Sequence, residues 1–261
     1  MNLFNLKGKR ALITGGTHGL GMAMAKGLGL AGAELIINGH SDNKMKLALS
    51  EYANDDLKAH GRLFDVTNDQ TVKQAIDSIE REIGPIDILV NNAGIIKRIP
   101  MVDMATEDFR EVINVDLIAP FIVSKYVGKH MIERKAGKII NICSMMSELG
   151  RNTVSAYAAA KGGLKMLTKN MATEWAKYNI QVNGIGPGYF ATDQTAPIRV
   201  NGHPFNDFII NRTPAARWGN PEDLIGSAVF LSSSASDFVN GQIIYVDGGI
   251  LATIGKPANE L

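Results

Sequence analysis

Two residues of this sequence, Tyr157 and Lys161, have the types and the spacing that acid–base chemistry requires. They stand four positions apart at the start of a helical pattern that runs to about residue 178, which puts both side chains on one helix face. A free tyrosine has a pKa of about 10, too high for an effective base at neutral pH. A nearby ammonium favours the phenolate and lowers that pKa. The sequence therefore predicts that this pair exchanges a proton with a substrate hydroxyl.

Ser144 follows the apolar run 138–142, which predicts a buried strand. In doubly wound sheets, ligands bind at the carboxyl ends of the strands. The hydroxyl of Ser144 is therefore expected to hold the substrate oxygen while Tyr157 transfers the proton. Taken alone, a serine after a strand is more often a cap, and a tyrosine–lysine pair is more often an exposed pair. Cys143, the one cysteine, is expected to pack as a small buried side chain.

Short apolar runs alternate with longer amphipathic runs from one end of the chain to the other. Runs that are apolar on both faces belong in a parallel sheet covered on both sides. This alternation predicts a single domain, residues 1–261, with a doubly wound (Rossmann) α/β fold and helices on both faces of a mostly parallel sheet. The segment at about 191–214 breaks the pattern and is predicted to be a substrate lid. Strands are predicted at 11–13, 35–37, 62–64, 86–90, 138–142, 180–183 and 242–246.

The composition is that of an ordinary globular enzyme, with 45% apolar residues, 20% charged residues and a formal net charge of +1. Without a long basic run, nothing argues for nucleic acid or an anionic membrane as a partner. No apolar run approaches the roughly 20 residues of a membrane-spanning helix, and no secretory signal is visible. We therefore expect a soluble, cytoplasmic protein that acts on a small molecule.

A glycine-rich loop at residues 14–21 follows the first predicted strand and opens a helix. Gly15, Gly19 and Gly21 allow the backbone to turn sharply and to approach a ligand closely. The amino end of the helix then offers N–H groups and a partial positive charge to a pyrophosphate. A glycine triplet alone is weak evidence, but its place between a strand and a helix strengthens the interpretation.

The pattern T-G-x-x-x-G-x-G of this loop resembles that of the short-chain dehydrogenase/reductase family. Further motifs of that family follow in the same order: the segment 91–94 (Asn-Asn-Ala-Gly), Ser144 with Tyr157 and Lys161, and the segment 187–192. The resemblance covers essentially the whole chain. It implies a nicotinamide-dependent oxidoreductase.

By this resemblance, Lys161 also holds the nicotinamide ribose, and Asn114 maintains a water-linked proton path to the lysine. The resemblance further implies a homotetramer, assembled through the helix 157–178 and the carboxyl-terminal region, where the tail 250–261 could contribute. Simple core packing explains the apolar residues of that helix equally well. No residue is assigned to a metal. Besides Tyr157 and Lys161, the cofactor contacts implied are Gly15, Thr17, His18, Gly19, Leu20, Gly21, Gly39, His40, Asp65, Val66, Asn91, Ala93, Gly94, Pro187, Gly188 and Thr192.

The end of the second predicted strand bears on cofactor choice. An acidic residue there suits the ribose of NAD, and an arginine suits the extra phosphate of NADP. By alignment with the family, Gly39 takes the usual acidic position and His40 the arginine position, while His18 takes a position that is often basic in NADP-preferring relatives. Because histidine is only partly charged near neutrality, the sequence slightly favours NADP and leaves NAD open.

Two arginines point to a substrate with a carboxylate, which a guanidinium binds through paired hydrogen bonds. Arg98 follows the segment 91–94, and Arg151 lies between Ser144 and Tyr157. Taken alone, either arginine is more often a solvent-exposed side chain without a role in binding. Arg98 is the stronger candidate for binding the carboxylate. The segments 91–98, 130–137, 142–151 and 212–219 resemble family members that interconvert D-gluconate and 5-keto-D-gluconate.

Other functions stay open at this point. Oxidation of 2-deoxy-D-gluconate at carbon 3 is the nearest alternative, and reduction of a 3-oxoacyl thioester is a more distant one. A dinucleotide-sensing regulator without catalysis is an alternative from another class. The presence of Ser144, Tyr157 and Lys161 argues against such a regulator.

Overall fold

Seven parallel strands form one sheet at the centre of the molecule, and the computed structural model describes residues 3–255. The strand order is β3-β2-β1-β4-β5-β6-β7. The predicted doubly wound fold is confirmed. The strands are β1 (Arg10–Ile13), β2 (Glu34–Gly39), β3 (Ala59–Leu63), β4 (Ile88–Asn91), β5 (Gly137–Ile142), β6 (Ile180–Pro187) and β7 (Ile243–Val246).

Helices cover both faces of this sheet. Leu12 and Ile13 are neighbours on β1 but belong to opposite apolar clusters, because successive side chains of a strand point to opposite faces. The helices α1, α2 and α8 cover one face, and α3, α5 and α6 cover the other. The helices are α1 (Gly19–Leu30), α2 (Asp42–Asn54), α3 (Asp69–Glu82), α4 (Thr106–Ile113), α5 (Ala119–Arg134), α6 (Ser155–Trp175), α7 (Pro204–Arg212) and α8 (Ile225–Ser232).

Local signals in the sequence account for where these helices begin. Asn68 caps α3 by accepting a hydrogen bond from the backbone N–H of Thr71 at 3.0 Å. Val72, Ile76 and Ile79 then recur at helical spacing and are fully buried against the sheet. Within residues 3–255, no helix is both long and apolar enough to cross a membrane.

The strand order reverses between β1 and β4, which opens a crevice at their carboxyl ends. The segment 191–214 lies beyond the carboxyl end of β6 and contains a 3-10 turn, Asp193–Ile198, followed by α7. Asn206 of α7 accepts a hydrogen bond from the indole N–H of Trp218 at 2.9 Å. Both the crevice and this segment therefore lie at the edge of the sheet where ligands are expected.

Candidate active site

Ser144 lies directly beyond the end of β5 and is 7% exposed. Its hydroxyl oxygen accepts a hydrogen bond from the backbone N–H of Met146 at 3.1 Å. The same hydroxyl lies beside the phenol of Tyr157 and lowers the pKa of that group. Ser144 is thus a cap and also a neighbour of the predicted proton donor, so the two interpretations of this serine are compatible.

Helix α6 carries Tyr157 and Lys161 on one face, as their spacing predicts. The Lys161 Nζ atom lies 5.5 Å from the centroid of the Tyr157 ring. The same ammonium donates a hydrogen bond to the carbonyl oxygen of Ile142, the last residue of β5, at 2.9 Å. The fold therefore brings Ser144, Tyr157 and Lys161 together at one strand end.

The pKa of Tyr157 differs in direction from the expectation based on its lysine neighbour alone. Burial raises this pKa and outweighs the Lys161 ammonium, which lowers it. The carboxylate of Asp116 also raises it. The phenol is therefore protonated at neutral pH in the protein as described, which is the form that donates a proton to a carbonyl oxygen.

The helix that precedes β5 contains one wide turn, residues Asn114–Ile118, in which the backbone N–H of Ala119 donates to the carbonyl oxygen of Asn114. Such π turns occur often at functional sites. Asn114 is half-buried, and its side chain makes no hydrogen bond within residues 3–255. Its water-linked role therefore stays a prediction. Asp116 of the same turn is fully buried and lies 3.1 Å from the Lys161 Nζ atom.

The glycine loop is pressed against the turn that follows β4. A Cβ atom on Gly15 would lie 3.0 Å from Ala93 Cα, and one on Gly21 would lie 2.4 Å from Asn92 Nδ2. Thr14 Oγ1 accepts hydrogen bonds from the backbone N–H groups of Asn92 and Ala93 at 3.0 and 3.1 Å. The glycines are therefore needed for close packing between the two turns that flank the crevice.

The amino end of α1 fits a dinucleotide phosphate. His18 occupies the N-cap position without capping the helix, and the first turn contains no acidic residue. A Cβ atom on Gly19 would meet nothing within 4 Å, so space is open at this end. Free N–H groups, open space and a positive helix end are what a pyrophosphate requires.

Comparisons with known proteins agree with this geometry. The profile of the family described as short chain dehydrogenase matches residues 9–201. The chain is 71% identical over 261 residues to a 2-dehydro-3-deoxy-D-gluconate 5-dehydrogenase of Formosa agariphila, covering 100% of this chain and 99% of that protein. It is 51% identical over 253 residues to a 5-keto-D-gluconate 5-reductase of Escherichia coli, covering 97% and 99%. This chain belongs to the short-chain dehydrogenase family.

A solved structure of a related enzyme supports the same assignment. A gluconate 5-dehydrogenase from Burkholderia cenocepacia, in complex with NADP and tartrate, superposes with a TM-score of 0.93 at 45% identity, covering 97% of this chain and 99% of that one. The short-chain dehydrogenase described here is accordingly an NAD(P)-dependent oxidoreductase that acts on a CH–OH group.

In this short-chain dehydrogenase, a side chain at position 39, at the end of β2, would require Thr17 to move. A Cβ atom on Gly39 would lie only 2.8 Å from Thr17 Cγ2. His18 lies close to both His40 and Lys44. Burial lowers the pKa of His18, as do Lys44 and His40, while Asp193 opposes them. Lys44 thus adds a third basic group that the sequence-based prediction did not include.

Other predicted cofactor residues also lie along this edge of the sheet. Asp65 is exposed just beyond β3, where its carboxylate accepts a hydrogen bond from the backbone N–H of Thr67 at 2.8 Å. Val66 is buried next to it. Gly188, directly after β6, packs closely against Asp247, directly after β7. A Cβ atom on Gly188 would lie 2.8 Å from Asp247 Cα. The first turn of α1 contains Leu20, and the segment after β4 contains Gly94. The last residue of β6 is Pro187, and the 3-10 turn 193–198 is preceded by Thr192.

The side chain of Asn91 is held in a buried hydrogen-bond network, and its contact with the cofactor stays a prediction. Asn91 is 3% exposed and donates from Nδ2 to Ser124 Oγ and to Asn141 Oδ1, both at 2.8 Å. Asn141 in turn donates to Thr168 Oγ1 at 2.9 Å. This chain of bonds joins β4, β5, α5 and α6 beneath the site.

The two predicted substrate arginines have different environments. Arg98 is exposed and makes no ion pair within residues 3–255, whereas its neighbour Lys97 pairs with Asp108 and Glu111. Arg151 donates to the hydroxyl of Tyr189 at 3.2 Å. The backbone N–H of Ile99 donates to the carbonyl oxygen of Thr153 at 2.9 Å, which holds the two arginine-bearing loops side by side.

The sequence-based prediction missed four residues that shape this site, Thr14, Lys44, Asn92 and Asp116. Thr14 and Asn92 stood inside recognised motifs, so their polar side chains were a usable signal. Asp116 carried no such signal, because its contact with Lys161 depends on the wide turn at 114–118.

A small apolar cluster that includes Met145, Val154 and Ile250 packs against Tyr157 and Tyr189.

Proposed function

We propose that this enzyme interconverts the secondary alcohol and the ketone at carbon 5 of a six-carbon sugar acid, with D-gluconate and 5-keto-D-gluconate as the pair. The observation that carries the proposal is the convergence of Ser144, Tyr157 and Lys161 at the end of β5, next to a loop on which an unpaired arginine is exposed. The E. coli and B. cenocepacia relatives support the choice of substrate.

The proposed chemistry assigns one role to each side chain. The Ser144 hydroxyl holds the substrate oxygen, and the Tyr157 phenol donates a proton to it in the reductive direction. In the oxidative direction, the Tyr157 phenolate accepts the hydroxyl proton. Lys161 stabilises that phenolate, and Asn114 supports a water-linked path for the proton. A bound nicotinamide dinucleotide supplies or accepts the hydride at the substrate carbon.

We propose that Arg98 binds the substrate carboxylate, because its guanidinium is exposed while Lys97 is engaged by two carboxylates. Arg151 takes part at the other side of the pocket. The guanidinium of Arg151 lies over the ring of Phe205 on α7, which supports the interpretation of the segment 191–214 as a lid. Tartrate in the B. cenocepacia structure is itself a hydroxy acid with carboxylates.

A second candidate substrate is 2-dehydro-3-deoxy-D-gluconate, also at carbon 5. The specific observation in its favour is the 71% identity to the F. agariphila enzyme, against 51% to the E. coli reductase. This candidate keeps the carboxylate and the reacting carbon of the first, but it carries a ketone at carbon 2 and lacks the hydroxyl at carbon 3. The same catalytic residues serve both reactions.

The test is a panel of sugar acids and their keto forms, each followed by nicotinamide absorbance with NAD and with NADP. We expect the highest kcat/KM for gluconate and 5-keto-D-gluconate. A higher kcat/KM for 2-dehydro-3-deoxy-D-gluconate would select the second candidate. Faster turnover of 2-deoxy-D-gluconate at carbon 3 or of a 3-oxoacyl thioester would reject both, and no turnover of any alcohol or ketone would favour a dinucleotide-sensing regulator.

We also propose that NADP is preferred, since basic groups lie near the end of β2 and position 39 carries no acidic side chain. We propose a cytoplasmic protein, in keeping with the small-molecule substrate. We also propose a homotetramer, because the helices α4, α5 and α6 each carry a large apolar side chain that is exposed in the single chain. These side chains are Phe109, Phe121 and Met166. Light scattering after gel filtration tests the assembly. The part of the predicted carboxyl-terminal contact at residues 256–261 lies outside the described residues.

A further inference from the structure

We propose that Lys97 is a positioning residue for the substrate carboxylate, because its ion pairs with helix α4 direct the neighbouring Arg98 guanidinium toward the active site. The inference rests on the proposed function, in which Arg98 binds that carboxylate. Lys97 Nζ lies 2.6 Å from Asp108 Oδ1 and also pairs with Glu111. Both carboxylates belong to α4 and stand three positions apart, so they approach the ammonium from one helix face.

Helix α4 gives this lysine a firm attachment, because the helix continues without a break through the wide turn 114–118 into α5. Val112 of α4 is fully buried, and α5 packs against the sheet. Asp108 is half-buried where α4 meets the loop after β4. A side chain that pairs with α4 is therefore held in relation to the sheet itself.

The side chains of the segment that carries Arg98 alternate between two sides. Residues 95–100 belong to no helix or turn, and none of them has a positive φ. Ile96 packs against the same apolar cluster as Tyr157, whereas Lys97 points to α4. Because side chains of an extended segment alternate in this way, Arg98 faces the same side as Ile96, which is the side of the active site.

A second anchor lies on the other side of Arg98. The backbone N–H of Ile99 donates to the carbonyl oxygen of Thr153 at 2.9 Å. Ile99 also precedes Pro100, and a following proline favours extended backbone. Arg98 is thus exposed between a side chain fixed to α4 and a backbone group fixed to the loop before α6. The two anchors together set the direction in which the Arg98 side chain leaves the backbone.

The two carboxylates also keep Lys97 from competing with Arg98 for the same ligand. Hydrogen bonds to Asp108 and Glu111 raise the pKa of Lys97, so the lysine stays charged and paired at neutral pH. Those bonds occupy the donors that a substrate carboxylate would otherwise use. Of the two adjacent cations, the arrangement leaves the substrate the one whose planar guanidinium matches a carboxylate.

Two variants that shift the local charge in opposite directions separate positioning from simple electrostatics. Lys97→Met removes a positive charge, whereas the double variant Asp108→Asn/Glu111→Gln removes negative charge. If the ion pairs orient Arg98, both variants are expected to raise the KM for the sugar acid by roughly fivefold while kcat stays within about twofold. A KM that rises in Lys97→Met but falls in the double variant would mean that Lys97 acts only through its charge, and would overturn the proposal.

Combination with Arg98→Ala distinguishes failure of this inference from failure of the proposed function. In Arg98→Ala the group to be oriented is missing, so adding Lys97→Met is expected to change the sugar-acid KM by less than about twofold. An unchanged KM in Arg98→Ala itself would reject the proposed role of Arg98, and this inference with it. A raised KM in Arg98→Ala together with an unchanged KM in Lys97→Met would overturn this inference alone.

Lys26→Met is the matched control. Lys26 also pairs with two carboxylates, those of Glu51 and Asp55, and its side chain is 29% exposed, against 28% for Lys97. Its pairs join α1 to the end of α2, away from the loop that carries Arg98. We expect Lys26→Met to lower the melting temperature about as much as Lys97→Met and to leave the sugar-acid KM within about twofold. An equal rise in KM in Lys26→Met would show that lost stability raises KM, and would contradict the proposal.

Discussion

The guanidinium of Arg151 lies over the ring of Phe205, with Cζ 4.3 Å from the ring centroid. Phe205 belongs to α7, and Arg151 belongs to the loop between Ser144 and Tyr157, so this contact joins the predicted lid to the catalytic loop. Phe205 also packs edge to face against Tyr189, with centroids 5.7 Å apart. Arg98, by contrast, is exposed and makes no ion pair within residues 3–255, and its guanidinium is the one that we propose binds the carboxylate.

We expect Arg98→Ala to raise the KM for gluconate by roughly ten- to hundredfold, the cost of losing charge-assisted hydrogen bonds. The kcat should change less than twofold, because Arg98 does not touch the proton-transfer groups. Steady-state kinetics with gluconate and with an uncharged polyol of the same length measure the effect.

The polyol serves as an internal control, since its weak turnover should be the same in both proteins. Arg81→Ala, on the exposed face of α3, is the matched arginine variant and should leave both substrates unaffected. Unchanged gluconate kinetics in Arg98→Ala would show that the carboxylate is bound elsewhere.

Tyr157→Phe should lower kcat by roughly a hundredfold to ten-thousandfold in both directions, because the proton donor and acceptor is lost. Cofactor affinity, measured by fluorescence titration, should change far less because the ring keeps its packing. Tyr178→Phe, just beyond the same helix, is the control and should retain full activity. Retention of activity in Tyr157→Phe would remove the tyrosine from the mechanism.

Lys44→Ala should raise the KM for NADP by about tenfold and leave that for NAD unchanged, because the 2′-phosphate that NAD lacks is the group that we propose lies beside Lys44 and His18. Lys46→Ala, which removes a lysine paired with Asp42 on the same helix, is the matched control. A second readout is pH. Burial lowers the pKa of His18, so the contribution of this histidine to NADP binding should increase as the pH falls and the imidazole gains a proton. Equal effects on both cofactors would contradict this assignment.

Glu34 at the opposite end of the sheet predicts an acid-sensitive contribution to stability. The Lys58 ammonium, with His60 and Arg10, lowers the pKa of Glu34 to about 2 from 4.5. A lowered folded-state pKa stabilises the protein above pH 4.5, and this contribution is lost as the pH falls from 4.5 toward 2. Glu34→Gln should therefore reduce the free energy of unfolding by about 1–2 kcal/mol at pH 7, allowing for solvent screening of Lys58.

Urea denaturation at several pH values measures this difference, which should shrink between pH 5 and pH 3. Glu133→Gln, at an exposed position of α5, should show no such dependence. A difference between wild type and Glu34→Gln that stays constant with pH would indicate lost packing rather than lost charge.

The sequence was sufficient for features that depend on short spacing. The strand predicted at 86–90, the glycine loop and the pair Tyr157–Lys161 are all encoded within a few residues. The structure has the strand at Ile88–Asn91, the loop between β1 and α1, and the pair on one face of α6. The sequence was insufficient where distant segments meet. The contact of Arg151 with Phe205, the buried bonds of Asn91 and the pairing of Asp116 with Lys161 all join separate elements. The raised pKa of Tyr157 was missed for a related reason, since burial is not visible in a four-residue spacing.

Gly39→Asp, the change that would recreate an NAD-type strand end, is expected to weaken the binding of both cofactors. Its Cβ atom would lie 2.8 Å from Thr17 Cγ2, so this methyl group of the glycine loop must move to admit the new side chain. Thr17→Ser removes that methyl group, so the aspartate should fit in the double variant. The ratio of kcat/KM with NAD to kcat/KM with NADP should then rise. Kinetics with both cofactors, alongside Thr17→Ser alone, measure the shift. A complete change of preference from NADP to NAD in Gly39→Asp alone would show that Thr17 moves aside without loss of cofactor binding.

The close approach of Thr17 to Gly39 has a consequence for how this enzyme can diverge. If neither single change is useful without the other, the route from one cofactor to the other passes through an inferior intermediate. Selection acting one substitution at a time would then tend to retain the existing preference, even where the cellular supply of the two dinucleotides changes. Under that condition, the methyl group of Thr17 would slow a change of cofactor at the end of β2.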